Sequence, residues 1–239
     1  ALKLVLPLAN LRETRVAGVY TFVNNNLAFD SAIPPIDQAN GRLEFSESSV
    51  RVPAATGIFL GGPVTLNAST GRDGVIRIGM TGRINADNVR QLGENAPGMQ
   101  HLRGATDWRG SFIVRKKVAD LVVEATLQGM ASDLPPPFGK TAAEMTPLRL
   151  ERRLTNGQER MGFVYGSIAS GQFVMRSEGK RTVVDRGIVR FGGGAAGAPD
   201  KPGVWMSGTI KLLDFDEWLK LAGEGDGGGD PLRGREHHP

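Results

Sequence analysis

Few side chains in this chain have the chemistry for covalent or acid–base catalysis, and those few are scattered. Of three histidines, His237 and His238 sit in a polar tail and only His101 falls within a patterned segment. A histidine-based metal site therefore lacks ligands, and no H-E-x-x-H or EF-hand spacing occurs. A serine triad would have to use His101, for which no G-x-S-x-G turn is available. Gly162, Phe163, Val164, Tyr165 and Gly166 form a glycine-bounded segment without the G-x-G-x-x-G order or the Lys-Ser/Thr ending of phosphate-cradling loops. Carboxylates such as Asp30 and Asp37 could be brought together by folding, but nothing else in the sequence supports a carboxylate pair. With no cysteine, a thiol nucleophile, thiolate metal ligands and a disulfide scaffold are excluded together. The expectation is a protein that is not an enzyme and uses no metal or cofactor.

Charge is the next candidate for function. The chain carries 29 Lys and Arg against 25 Asp and Glu, a net +4. Between Arg149 and Arg190 nine basic residues (Arg149, Arg152, Arg153, Arg160, Arg176, Lys180, Arg181, Arg186, Arg190) face four acidic ones (Glu151, Glu159, Glu178, Asp185), a local +5. Two readings stand: the solvated face of alternating strands, or attraction to anionic lipid headgroups or another polyanion. The aromatics of this stretch, Phe163, Tyr165 and Phe173, are spaced as in strands and match no RNA-binding signature, so no nucleic-acid partner is expected.

The elements that must position any site are strands. The 239 residues include 33 glycines and 14 prolines, too many helix breakers for a helical bundle. At 40% hydrophobic and 23% charged the composition is still that of a folded protein. Alternation with period two recurs in Val16 to Phe22, Arg42 to Phe45, Val75 to Ile84, Phe112 to Arg115, Leu121 to Gln128, Gly162 to Ile168, Gln172 to Arg176, Gly187 to Phe191 and Val204 to Leu212. Turn signals separate these runs: Asn24-Asn25-Asn26, Pro34-Pro35, Gly61-Gly62-Pro63, Gly71 to Gly74, Asn156-Gly157 and Gly192-Gly193-Gly194. Strands so joined are expected to be antiparallel neighbours in a meander.

Two short helices interrupt the strands. Ala86 to Leu92 is opened by Asn85 and closed by Gly93, and a second helix starts at the N-cap Asp214, with Glu217 at N3 and Phe215, Trp218 and Leu219 on one face, and stops near Gly223. Each follows a similar strand end, Met80-Thr81-Gly82-Arg83-Ile84 and Met206-Ser207-Gly208-Thr209-Ile210, which suggests two related β-rich units, 1–95 and 96–222. Residues 223–239 read as a linker or flexible tail. No window approaches the length of an apolar membrane-spanning helix. No signal-peptide pattern is visible after Ala1, and the chain is expected to be a section of a longer protein.

Three stretches resemble the AsmA-like superfamily of Gram-negative envelope proteins, specifically its YhdP-type members. Gly41-Arg42-Leu43-Glu44-Phe45, Val50, and Gly57-Ile58-Phe59-Leu60-Gly61-Gly62-Pro63-Val64 are similar to the family's strand, turn and L-G-G-P sequence. The run from Leu127 to Lys140, L-Q-G-M-A-S-D-L-P-P-P-F-G-K, resembles a strand ending in L-x-G followed by S-x-L-P-x-P-F-x-K. Asp214 to Leu221 is similar to the family's D-x-W-L segment. The resemblance implies antiparallel sheets curled into an open, apolar β-groove. It further implies a periplasmic section of an inner-membrane-anchored protein, the anchor lying elsewhere in the full-length molecule, that shields phospholipid acyl chains between inner and outer membrane. The alternative is a structural or interaction module of outer-membrane biogenesis with a closed β core.

Under the groove reading the candidate lining residues are Ile76, Ile78, Met80, Leu121, Val123, Leu127, Val204, Met206 and Ile210. Methionines suit such a path because the thioether adapts to varied shapes, and each of the nine would serve equally in an ordinary core. Pro135-Pro136-Pro137-Phe138 cannot join a central strand and is either a rigid crossover or a lid.

Overall fold

Alternating side chains build one long meander in the computed structural model, which describes residues 2–5, 15–28, 34–92, 98–116, 118–178, 181–197 and 199–224. The strands are β1 (Leu2–Val5), β2 (Arg15–Leu27), β3 (Ile36–Ser46), β4 (Val50–Phe59), β5 (Gly62–Thr70), β6 (Ile76–Asn85), β7 (Leu102–Arg115), β8 (Val118–Ala125), β9 (Met130–Ser132), β10 (Leu148–Thr155), β11 (Gln158–Tyr165), β12 (Ala169–Glu178), β13 (Arg181–Phe191) and β14 (Gly203–Gly208). Each strand bonds to the next along a path from β1 to β8 and on through β10 to β14, while β9 pairs with β7. The sheet is mainly β and does not close. Helices α1 (Ala86–Leu92) and α2 (Phe215–Glu224) are the two expected. Asn85 Oδ1 accepts from Asn88 N at 2.9 Å and Asp214 Oδ1 from Glu217 N at 3.1 Å, both N-caps.

Turn chemistry sets most registers. Leu60-Gly61 (φ 52° and 69°) and Asn156-Gly157 (φ 51° and 82°) are two-residue hairpin loops with both central residues left-handed, the geometry that matches strand twist. Two sequence expectations are corrected. Asn24-Asn25-Asn26 does not end a strand; it is an irregularity inside β2, where the register shifts after Phe22 and Asn24 sits at φ 55°. Gly192-Gly193-Gly194 does not make a hairpin either. β14 instead lies parallel to β13, and two strands running the same way need a return connection rather than a tight turn.

Opposed residues share a face, so the pairings trace rows across the sheet. One row reads Phe22, Gly41, Ala55, Leu66, Met80, Gly110, Val123, Leu150, Phe163, Gly171, Val189, Met206. The next on the same face reads Val52, Ala68, Ile78, Phe112, Leu121, Arg152, Met161, Phe173, Gly187, Val204. The face curls inward. Strands three apart in a flat sheet lie roughly 14 Å from each other, yet the rings of Phe59 on β4 and Trp108 on β7 are 5.5 Å apart. Ile36 of β3 and Leu121 of β8, five steps apart along the path, line one cavity.

Much of the glycine surplus serves this face. An aromatic ring lies over a directly opposed glycine in five pairs: Phe45 on Gly18, Phe22 on Gly41, Trp108 on Gly82, Phe163 on Gly171 and Phe173 on Gly187. A Cβ added at Gly171 would stand 2.3 Å from Phe163, and one at Gly187 2.4 Å from Phe173. Gly171→Ala is therefore expected to destabilise the chain by about 1–3 kcal/mol through overpacking, measured by urea unfolding. The cost should fall when Phe163→Leu is combined with it, and an unchanged cost would show that the ring is not the obstacle.

Candidate functional site

The inner face divides into a filled part and an exposed part. From β2 to β7 it is packed: Phe22, Val52, Ala55, Leu66, Ile78, Trp108 and Phe112 are buried in one cluster. The remaining cavity, about 40 Å³, is bounded by Ile36, Phe59, Ile78, Met80, Trp108, Phe112, Leu121 and Val123. Such a void is well below the roughly 150 Å³ of a cavity that takes up benzene. From β10 to β14 the same face reaches solvent, with Leu150 44%, Met161 42% and Met206 74% exposed.

The structure places seven of the nine candidate lining residues on this one face. Ile78, Leu121 and Val204 share one row, Met80, Val123 and Met206 the adjacent one, and Ile76 lies opposite Val114 on the same face. Leu127 and Ile210 lie outside strands. β8 ends at Ala125 and β14 at Gly208, and Leu127 occupies a left-handed turn position at φ 53°. The alternation in the sequence runs past Ala125, but the backbone turns there.

That turn opens the most family-specific stretch, whose residue types now have physical reasons. The Lys140 ammonium donates to the carbonyls of Leu127 (2.9 Å), Thr141 (3.0 Å) and Met130, tying the loop on itself. Burial pulls its pKa below the ordinary lysine value, with Glu144 opposing. Gly129 (φ 90°) passes so close to β7 that a Cβ would meet Ala105 O at 2.4 Å. The loop holds Phe138 against Trp218 of α2 (5.8 Å between centroids), Tyr165 (5.9 Å) and Phe191 (6.5 Å). Trp218 Nε1 donates to Pro136 O at 3.1 Å. Tyr165 and Phe191 belong to an inner-face row with Trp108, Ala125, Leu148 and Ala169, so the loop covers that face along one rim.

The outer face carries most of the basic stretch, Arg152 excepted, and several of its charges are paired. Glu124 on β8 accepts from Arg109 at 2.7 Å and from Arg149 at 2.5 Å, Arg149 also binds Glu151 at 2.6 Å, and Arg153 binds Asp120 at 2.8 Å. Arg176 and Arg186 both reach Asp185. Glu124 and Asp120 lie outside the segment whose charge was summed, so the local +5 overstates the free positive field. This supports the solvated-face reading. A depression of about 1010 Å³ opens beside this ladder at the rim of β5 to β11, and among its charged members Arg83 is paired with Asp107 and Glu124 with both arginines.

The residues first considered for catalysis do not assemble. His101 closes a short 3-10 turn, Met99–His101, and its Nε2 is buried without a hydrogen-bond partner. Asp37 accepts from Asn26 Nδ2 at 2.6 Å, while Asp30, Lys180 and the tail from 225, with His237 and His238, lie outside the described residues. No helix among the described residues is long and apolar enough to cross a membrane.

The described residues define a mainly β protein built on one open, curled sheet, with a largely apolar inner face that carries the Arg152–Glu159 pair and a charged outer wall. The model of the family described as YhdP protein matches residues 1–237, and the chain belongs to that family. No curated protein and no solved structure matches it.

Two substitutions test the site's supports. Lys140→Met leaves backbone carbonyls without their donor and should cost about 2–4 kcal/mol in urea unfolding, with a change in Trp218 fluorescence as Phe138 is released. For Glu124, Arg109 first and Arg149 second hold the carboxyl below the usual carboxylate range. A lowered folded pKa contributes stability that is present above the unfolded value, about 4.3, and lost as pH falls through the folded one. Thermal melts of Glu124→Gln should accordingly lose part of the wild-type acid sensitivity below about pH 4.

Proposed function

We propose that the chain is a section of a periplasmic, inner-membrane-anchored lipid-transfer protein, and that its inner face shields phospholipid acyl chains travelling between inner and outer membrane. The observation that carries this reading is the row from Phe22 to Met206, apolar or glycine at every position and exposed to solvent at Leu150 and Met206. An exposed apolar strip of this kind calls for a partner. Each methylene left in water costs about 0.8 kcal/mol, so a 16-carbon chain costs on the order of 12 kcal/mol, and a carrier must cover nearly all of it. Alternating strands supply that cover while the other half of their side chains keeps the wall soluble. No bond is made or broken, and the reading requires no catalytic residue.

A second reading, a non-transporting structural module of outer-membrane biogenesis, is favoured by the packed interior of β2 to β7 and its small cavity. The two differ at Met161 and Val164. Both are 42% exposed and both lie on β11, but Met161 opposes Phe173 on the inner face and Val164 opposes Ser170 on the outer one. A photo-crosslinking side chain at 161 should label phospholipid after incubation with vesicles, and one at 164 should not. Equal labelling, or none at either position, would sink the transfer reading.

A further inference from the structure

On the inner face of β5 to β14 two charged side chains stand among the paired residues: Arg152 on β10 and Glu159 on β11. Arg152 opposes Leu121 and Met161, and Glu159 opposes Leu154 and Met175. They are bonded, Arg152 Nε to Glu159 Oε1 at 2.5 Å, with side chains 14% and 17% exposed. The other described ion pairs each leave at least one partner more than a third exposed. A shielded pair in an apolar wall is a weak source of stability, since hydrophobic residues of similar volume often serve as well. The pair lies next to the exposed Leu150 and Met161.

We propose that Arg152 and Glu159 read the headgroup of the bound lipid and select a zwitterionic one. The inference rests on the trough reading above. A headgroup with a phosphate and an ammonium exchanges partners with the resident pair: phosphate oxygens accept from the guanidinium, and the ammonium donates to the carboxylate. The exchanged charges then remain compensated on a half-dry surface. A monoanionic headgroup satisfies Arg152 alone and leaves the Glu159 carboxylate beside a like charge, a placement that low exposure makes expensive. The guanidinium fork suits phosphate geometry in either case, so the discrimination comes from Glu159.

The test incubates the 239-residue chain with vesicles of equal phosphatidylethanolamine and phosphatidylglycerol, re-isolates the protein and quantifies bound lipid by mass spectrometry. Wild type should be enriched about fivefold in the zwitterionic lipid, the scale of a partly screened ion pair. R152M/E159M should still bind lipid, with the ratio returned to that of the vesicles. E159Q, which removes only the repelling charge, should shift uptake toward phosphatidylglycerol. Circular dichroism checks that each variant folds, and E159Q carries the test if the double variant does not. Lipid bound by wild type without preference, or a preference unchanged in the variants, would overturn the headgroup assignment while leaving the trough intact. No lipid of either kind on wild type would overturn both.

Discussion

The structure depends on keeping one face of a very wide sheet apolar, row after row, while the sheet curls toward that face. Curling brings strands that are far apart in the ladder within side-chain reach, as Phe59 and Trp108 show, so every inner side chain must fit its cross-strand neighbour and the opposite wall together. Glycine opposite an aromatic ring meets both demands. At Gly18, Gly41, Gly82, Gly171 and Gly187 the missing Cβ lets a ring lie along the wall instead of standing into the interior, and the ring covers backbone that glycine would leave bare. Residue size is thereby traded between strands, and the interior keeps its width.

The outer wall answers a different constraint. Its residues face water on β8, β10 and β11, where long alternating strands present many like charges at close spacing. Carboxylates from neighbouring strands are interleaved with the arginines, so Glu124 bridges Arg109 and Arg149 and Asp120 meets Arg153. Exposed pairs of this kind contribute little stability each. Their effect is to prevent repulsion along the ladder and to leave the wall solvated with little free field.

Legibility in the sequence followed the same division. Strands with a clean contrast between faces, such as β6 and β8, stood out from alternation alone, and Asn156-Gly157 announced its hairpin. β10 did not, because Arg152 breaks the apolar series of Leu148, Leu150 and Leu154 and makes the segment read as a charge run. β5, whose buried Val64, Leu66 and Ala68 alternate with exposed residues, was concealed by Gly62-Pro63 at its start, which reads as a turn. The parallel return of β14 had no local signal, since glycine-rich segments look alike whether they reverse the chain at once or carry it back across a sheet. Leu127 shows the opposite error: periodicity continued beyond the point where Gly129 and the Lys140 ties turn the backbone away. The resemblance was most useful where pattern was silent, because L-x-G and S-x-L-P-x-P-F-x-K describe a loop stabilised by a lysine and backbone carbonyls, which no hydrophobic period encodes.

The inner face also explains why its charged pair lies where it does. In the packed part, around Ile78 and Phe112, two ions would be removed from water on all sides and would need further hydrogen bonds to repay desolvation. On β10 and β11 the wall is partly wet, as Leu150 and Met161 show, which lowers the desolvation cost of the pair. A single ion there would instead invite water into the trough along its exposed length. Two opposite ions in contact present little net field along the face, and the proposed lipid transfer uses their capacity to separate toward a ligand that brings both charges. The transition from filled interior to open trough and the position of Arg152 and Glu159 are thus linked by one quantity, the degree to which the curl excludes water.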